Sequence, residues 1–124
     1  EWIANQSKFD CIEWLGYVED IREIYSLIDA VVLPSYREGL SHTLIEALAM
    51  GKPIITTDVP GCREVIKNNG FIVNAKDPID LSKAMSKIID ANLEILGLHS
   101  LGLAKNYDIK IINSQTMSLY GSDI

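Results

Sequence analysis

Residues 30–57 read AVVLPSYREGLSHTLIEALAMGKPIITT, and this stretch decides the fold. Its two short runs at 30–33 and 54–57 are rich in β-branched residues, which is typical of strands buried on both faces of a parallel sheet. Between them, residues 43–50 predict a helix, and Gly51 suits the left-handed position that ends one. A strand, a helix and a strand in this order indicate an α/β fold.

The rest of the chain continues the alternation of strands and helices. Further strands are predicted at 9–15 and 70–73, and helices at 21–28, 63–66, 78–91, 93–105 and 109–120. About four strands make a thin sheet, since sheets of this class average about 5–6. Because the sequence also opens without an initiator Met or a signal pattern, we expect it to be part of a longer protein that supplies the other strands.

The composition is that of one folded domain. With 124 residues, 48% hydrophobic and 23% charged, the sequence excludes disordered and fibrous classes. A net charge of −6 without a basic stripe argues against nucleic-acid binding. The apolar runs are shorter than the roughly 20 residues that cross a bilayer. The two cysteines, Cys11 and Cys62, lack CxxC spacing and favour a reduced, cytoplasmic compartment.

The segment 35–42 is the strongest candidate for a binding site, because it connects the end of a buried strand to the start of a helix. In open α/β sheets, ligands bind at the carboxyl ends of the strands. Gly39 allows the backbone to approach a ligand closely. The free N–H groups of Leu40, Ser41 and His42 gather at the positive end of the helix, where they suit an anion such as a diphosphate.

Two glutamates flank this position. Glu38 precedes the turn and Glu46 follows it, so both carboxylates can face one cleft. Carboxylates accept hydrogen bonds from the paired hydroxyls of sugars and riboses, and leaving a buried acceptor unpaired costs about 1–3 kcal/mol. A simpler interpretation stays open: Thr43-x-x-Glu46 matches a capping box, in which Glu46 bonds only to backbone, and Glu38 is then a solvated surface residue.

The remaining polar candidates are weaker. His42 and His99 lack the spacing of metal ligands, so we predict no metal site and expect both rings to face solvent. Arg37 and Lys52 are further sources of charge for phosphates, although ordinary surface roles are the simpler interpretation.

Several longer segments together identify a family. They are LPSYREGL at 33–40, EALAMGKPII at 46–55, WLGYV at 14–18, DAV at 29–31, TDVPGCRE at 57–64, NGFIV at 69–73 and DP at 77–78. This pattern resembles the signature of glycosyltransferase family four, whose members are retaining enzymes of the GT-B fold. The resemblance covers residues 9 to about 91. It implies a Rossmann-like parallel sheet with flanking helices, forming part of the carboxy-terminal half of a GT-B fold.

The resemblance also implies the roles of individual residues. Glu38 would be the catalytic residue, in contact with the transferred sugar, and the loop of Gly16, Tyr17 and Val18 would border the base. Glu46 would hold the ribose. The diphosphate would lie on the backbone amides of Gly39, Leu40 and Ser41. A sugar would pass from a nucleotide diphosphate sugar to an acceptor hydroxyl with retention, in polysaccharide or glycolipid synthesis, without a metal or other cofactor.

Two parts of the family pattern are absent from this sequence. One is the pair of opening strands whose glycine-rich turn, Arg and Lys grip the diphosphate, and the other is the amino-terminal domain that meets the acceptor. We therefore expect 1–124 to be a single donor-binding domain that is inactive alone, with 107–124 resembling the family's closing helix. The acceptor, a glycan or lipid-linked sugar, would place the longer enzyme at the inner face of the membrane.

Two alternatives stay open. The first is a nucleotide-sugar epimerase of the GT-B fold, against which the paired glutamates argue. The second is a non-catalytic binding or assembly module, in which Glu46 is only a helix cap.

Overall fold

The computed structural model describes residues 11–35 and 41–107. In chain order the elements are α1 (Ile21–Leu27), β1 (Val31–Leu33), α2 (His42–Ala49), β2 (Ile54–Thr57), a 3-10 helix (Arg63–Val65), β3 (Gly70–Val73), α3 (Pro78–Ile89) and α4 (Leu93–Ala104). Each was predicted within two residues at either end. The predicted helix at 109–120, and the closing helix from 108 onward, lie outside the described residues.

The three strands form one parallel sheet in the order β1-β2-β3. Val31 pairs with Ile54, which in turn pairs with Gly70. All four residues of the central strand β2 are buried, as its unbroken β-branched run predicts. The predicted α/β class, with a parallel sheet and flanking helices, is therefore confirmed.

Neighbouring residues of β2 serve two separate hydrophobic clusters, because successive side chains of a strand point to opposite faces. On one face Ile54 packs in a cluster with Leu44 of α2. On the other, Ile55 packs with Ala84 and Ile88 of α3. Full burial of a side chain of this size contributes about 1.5–3 kcal/mol, so the helices are held on both faces mainly by these contacts.

The strand predicted at 9–15 is wrong in its described part. Residues 11–15 pair with no strand among the described residues. The segment is open to solvent, with Trp14 65% and Tyr17 75% exposed. A strand persists only where a neighbour satisfies its ladder hydrogen bonds, so the local β-propensity of this segment is not sufficient. The described sheet has three strands instead of about four.

The helix α4 contains two glycines, and its close packing against the end of α2 requires one of them. A Cβ on Gly97 would lie 2.4 Å from the carbonyl oxygen of Gly51, so only glycine lets α4 lie this close to the end of α2. Gly51 itself has φ +69°, the left-handed conformation predicted for the residue that ends this helix. Around Gly102 an added Cβ would meet nothing within 4 Å.

A buried polar network ties α4 to the starts of β2 and β3. The side-chain nitrogen of Asn69 donates to Ser100 Oγ and to the Val65 carbonyl, both at 3.1 Å. Its oxygen accepts from the Lys67 N–H at 2.6 Å. Ser100 Oγ donates to the Lys52 carbonyl at 2.7 Å. Every polar atom of these two buried side chains therefore has a partner within the chain.

The helices are short. The longest in the described ranges, α3 and α4, have 12 residues each, and no described helix has the length and apolarity that a bilayer crossing requires.

Candidate functional site

The carboxyl ends of β1 and β2 meet at one edge of the sheet, which we call the carboxyl edge, because the strands are parallel. The chain leaves β1 there, passes through 36–40 and enters α2. Residues 36–40 lie outside the described part of the structure. The site predictions that fall on them, and so remain predictions, are Glu38, Gly39 and Leu40.

Both ends of this connection are held by side chains. Thr57 Oγ donates to the Ser35 carbonyl at 2.5 Å, and Thr56 Oγ donates to the Leu33 carbonyl at 2.9 Å. At the other end, Ser41 is the N-cap of α2 and is 5% exposed. The bonds of the two threonines were not predicted, although two hydroxyls in an otherwise apolar strand indicate hydrogen bonds inside the protein.

Two backbone donors in the first turn of α2 have no acceptor within the described part of the chain. Ser41 Oγ accepts from the Leu44 N–H at 3.3 Å, and the Ser41 carbonyl accepts from the Ile45 N–H at 3.1 Å. The N–H groups of His42 and Thr43 have no hydrogen-bond partner among the described residues. These donors lie at the positive end of the helix, which favours an anion. The Thr43 donor was not predicted.

The capping-box interpretation of Glu46 is wrong. A capping box pairs an N-cap Ser or Thr with a Glu three residues later. Here the N-cap is Ser41, the residue three positions on is Leu44, and Thr43 already lies inside the helix. The helix begins earlier than predicted because the Ser41 side chain satisfies the Leu44 N–H.

The Glu46 carboxylate is thus not part of a capping box. Its side chain is half-buried, and it makes no hydrogen bond or ion pair with another described residue. Loss of solvent raises the pKa of its carboxyl above the usual value. A partly desolvated acceptor without a donor is suited to a ligand that brings hydroxyl groups.

His42 differs from its prediction. It lies four residues before Glu46, so the two side chains occupy the same side of α2. Its Nδ1 atom is buried and has no partner within the described part of the chain, whereas the ring was predicted to face solvent. His99 is exposed, as predicted, with its Nδ1 2.6 Å from the Asn68 carbonyl oxygen. No group of three potential metal ligands occurs among residues 11–35 and 41–107.

The loop predicted to border a base lies at 16–18. Tyr17 is exposed, Val18 is half-buried, and Gly16 adopts φ +67°. No hydrogen bond connects this loop to Ser41 or Glu46 among the described residues. The role of the three residues at a base stays a prediction.

Lys52 lies at the opposite edge of the sheet, the amino edge, where β1 and β2 begin. Its Nζ donates to the Ile28 carbonyl at 3.0 Å, so it closes the connection between α1 and β1. A cleft of about 330 Å³ opens beside it and is lined in part by Asp29, Glu94 and Leu98. Its position across the sheet separates this cleft from Ser41 and from the phosphate position proposed in the sequence analysis.

Comparison with known proteins places these features in a family. The profile described as Glycosyl transferases group 1 matches residues 1–91. The N,N'-diacetylbacillosaminyl-diphospho-undecaprenol alpha-1,3-N-acetylgalactosaminyltransferase of Campylobacter jejuni is 36% identical over 113 residues, covering 88% of this chain. The capsular polysaccharide biosynthesis glycosyltransferase CapM of Staphylococcus aureus is 32% identical over 87% of the chain. The chain spans 30% of the length of each of these two relatives.

Solved structures show the same fold. HepE of Anabaena, crystallised in complex with UDP, superposes on 97% of this chain with a TM-score of 0.78 and 21% identity, over 35% of its own chain. Sucrose-phosphate synthase from Thermosynechococcus elongatus covers 98% of the chain, and 32% of its own, with a TM-score of 0.79 and 24% identity. The likeness is one of fold, and the fold is Rossmann-like, of the GT-B type.

Proposed function

The chain belongs to the Glycosyl transferases group 1 family, and we propose that it is the donor-binding portion of a longer, retaining transferase of family four. In this proposal the enzyme moves a sugar from a nucleotide diphosphate sugar to an acceptor hydroxyl on a glycan or lipid-linked sugar, and builds a polysaccharide or glycolipid. The chain alone does not turn over, because other parts of the longer polypeptide hold the acceptor and the positive side of the diphosphate site.

The observation that carries this proposal is the Glu46 carboxylate, which has no partner among the described residues and lies near the start of α2. The adjacent hydroxyls of a ribose are two donors, which one carboxylate accepts together. The N–H groups of His42 and Thr43, which have no acceptor within 11–35 and 41–107, suit a diphosphate oxygen. Thr43 and Glu46 are separated by about 4.5 Å along the helix axis, a spacing that lets one nucleotide reach both.

The remaining roles follow the predicted assignment. Glu38 stabilises the charge that develops on the sugar in the transition state. Gly39, Leu40 and Ser41 hold the diphosphate through backbone amides, and the loop at 16–18 borders the base. The names of two relatives support the substrate class, since one acts on a diphospho-undecaprenol acceptor and another was crystallised with UDP. The longer enzyme works in the cytoplasm, at the inner face of the membrane, and needs no metal.

Calorimetric titration of the full-length protein with UDP, GDP and ADP tests the donor site. We expect Glu46→Gln to weaken binding of the preferred nucleotide by about 5-fold to 150-fold, because the ribose loses a charged acceptor. Glu94→Gln is the matched control, since Glu94 also lies near the start of a helix but at the amino edge. Equal affinity in the wild type and Glu46→Gln would refute the role of Glu46.

Release of free nucleotide tests the reaction itself. The full-length enzyme should release nucleotide from its nucleotide sugar only when a lipid-linked acceptor is present, and the product should keep the anomeric configuration of the donor. Release that is independent of acceptor, or an inverted product, contradicts the proposed reaction.

A further inference from the structure

The helix α4 carries apolar residues on both of its sides. The side that faces the rest of the chain buries small residues, which are Gly97, Ser100 and Ala104. The outward side carries large ones, and Leu98 and Leu101 are 59% and 44% exposed. A helix that is apolar all round is ordinarily buried, so the outward side of α4 is suited to a partner.

Four outward residues of α4 and its C-cap form one stripe, which we call the α4 stripe. They are spaced four, three and four residues apart and so share one face of the helix: Glu94, Leu98, Leu101 and Lys105. All four are exposed, and the backbone of Lys105 keeps helical angles, with φ −64° and ψ −19°. Neither charged residue forms an ion pair with another described residue. The α4 stripe is therefore an aliphatic centre between an acidic end and a basic end.

The α4 stripe borders the cleft at the amino edge. Leu98 and Leu101 line this cleft of about 330 Å³ together with Ile28 and Asp29. A ridge of aliphatic side chains beside an open cleft offers both parts of a ridge-into-groove helix contact. The carboxylate of Asp29 at the cleft disfavours an anionic lipid surface as the partner.

The order of the charges matches the α4 stripe to a second copy of itself. Glu94 and Lys105 lie equally far along the helix from the midpoint between Leu98 and Leu101. When two copies of α4 pack antiparallel about that midpoint, the leucines of the two copies meet at the centre. Glu94 of each copy then lies opposite Lys105 of the other. Such self-complementarity is what a two-fold interface between identical chains requires.

We propose that the α4 stripe is the centre of a two-fold interface between two copies of the full-length protein. Leu98 and Leu101 supply the apolar surface that is buried, and the pairs of Glu94 with Lys105 set the antiparallel orientation. The interface lies at the amino edge and does not depend on the proposed function. One helix stripe buries less than the roughly 800 Å² per partner of a standard interface, so we expect a weak dimer.

Sedimentation equilibrium of the full-length protein, at concentrations up to about 0.1 mM, measures this association. We expect a monomer–dimer equilibrium in the wild type. Leu98→Glu should raise the Kd of the dimer by at least about 100-fold, because both copies lose a buried aliphatic side chain. Ile79→Glu is the matched control. Ile79 is 69% exposed but lies on α3, which packs on the other face of the sheet, so the Kd should stay within about twofold of wild type.

Exchange of the charges tests the antiparallel orientation. Glu94→Lys and Lys105→Glu each place like charges opposite one another at both ends of the contact, so each should raise the Kd by about 2-fold to 30-fold. The combined variant restores opposite charges and should return the Kd to within about threefold of wild type. Each change also opposes the helix dipole, so an effect on α4 itself would add up in the combined variant instead of cancelling.

Three results would overturn the proposal: a wild type that stays monomeric at every concentration, a Leu98→Glu variant that dimerises like wild type, or a combined variant as weak as the single ones. A monomeric wild type that Leu98→Glu destabilises would show that another part of the longer polypeptide covers the α4 stripe. A monomeric wild type that co-sediments with phosphatidylglycerol vesicles, and loses this in Leu98→Glu, would show that a membrane covers it.

Discussion

The amino and carboxyl edges of the sheet differ in whether all of their polar groups are bonded within the described part of the chain. At the amino edge, Asn69 and Ser100 are buried and all their polar atoms bond within the chain. At the carboxyl edge, the carboxylate of Glu46 and the N–H groups of His42 and Thr43 have no partner among the described residues. Asn69 and Ser100 therefore stabilise the fold, because their buried polar atoms are satisfied. The half-buried Glu46 carboxylate and the donors at the helix start remain able to bond to water or to a ligand, and the proposed function assigns the donor to this second edge.

The largest loss of stability is expected when a methyl group is added to Gly70 at the amino edge. A Cβ on Gly70 would lie 1.7 Å from the Ile54 carbonyl oxygen, which the pairing of β2 with β3 holds in place. We expect Gly70→Ala to lower the free energy of unfolding by more than about 4 kcal/mol, since two backbones must move apart. Urea denaturation followed by circular dichroism measures this. Gly102→Ala is the control, and its free energy of unfolding should rise by about 0.5–1 kcal/mol, because an added Cβ there meets nothing within 4 Å.

A smaller loss is expected from opening the polar network. Asn69→Leu removes three hydrogen bonds and leaves the Lys67 N–H and the Val65 carbonyl unpaired. We expect the free energy of unfolding to fall by about 2–4 kcal/mol. Nucleotide affinity of the folded full-length variant should stay within about twofold of wild type. A marked loss of affinity in the folded variant would show that the two edges are not separate in function.

The smallest expected change is a slight gain in stability, and it comes from replacing Glu46 at the carboxyl edge. Burial raises the pKa of Glu46 in the folded chain, so above the ordinary pKa the folded state binds more protons than the unfolded state. Stability then falls as the pH rises from the ordinary pKa through the raised one. The glutamine in Glu46→Gln does not titrate, so this variant should be slightly more stable than wild type at neutral pH. The difference in the free energy of unfolding should vanish below about pH 4.

Thermal unfolding of both proteins across this pH range measures the difference. A Glu46→Gln variant that is less stable than wild type at neutral pH would mean that the carboxylate stabilises the fold, contrary to the proposed role.

Sequence patterns predicted the elements well where local chemistry determines them. Gly51 ends α2 as expected, because a left-handed glycine acts within one turn. The strand at 9–15 failed in its described part because a strand depends on a partner that its own residues do not specify. The close approach of Gly97 to Gly51 was equally invisible, since it depends on how two distant helices pack.

The site shows the same limit at finer scale. Whether Glu46 belongs to a capping box depended on a helix start that sequence placed at Thr43 and the structure places at His42, behind the cap Ser41. The bonds from Thr56 to Leu33 and from Thr57 to Ser35 join residues 23 and 22 positions apart, a separation over which sequence patterns do not specify pairing. The residue types were readable from the sequence, but their partners were not.

A crystal structure of the full-length protein with a bound nucleoside diphosphate tests the separation of the two edges most directly. The account predicts that the diphosphate lies within hydrogen-bonding distance of the His42 and Thr43 N–H groups, with ribose hydroxyls on the Glu46 carboxylate. A nucleotide bound instead in the cleft beside Lys52, Asp29 and Glu94, with Glu46 left untouched, would contradict it.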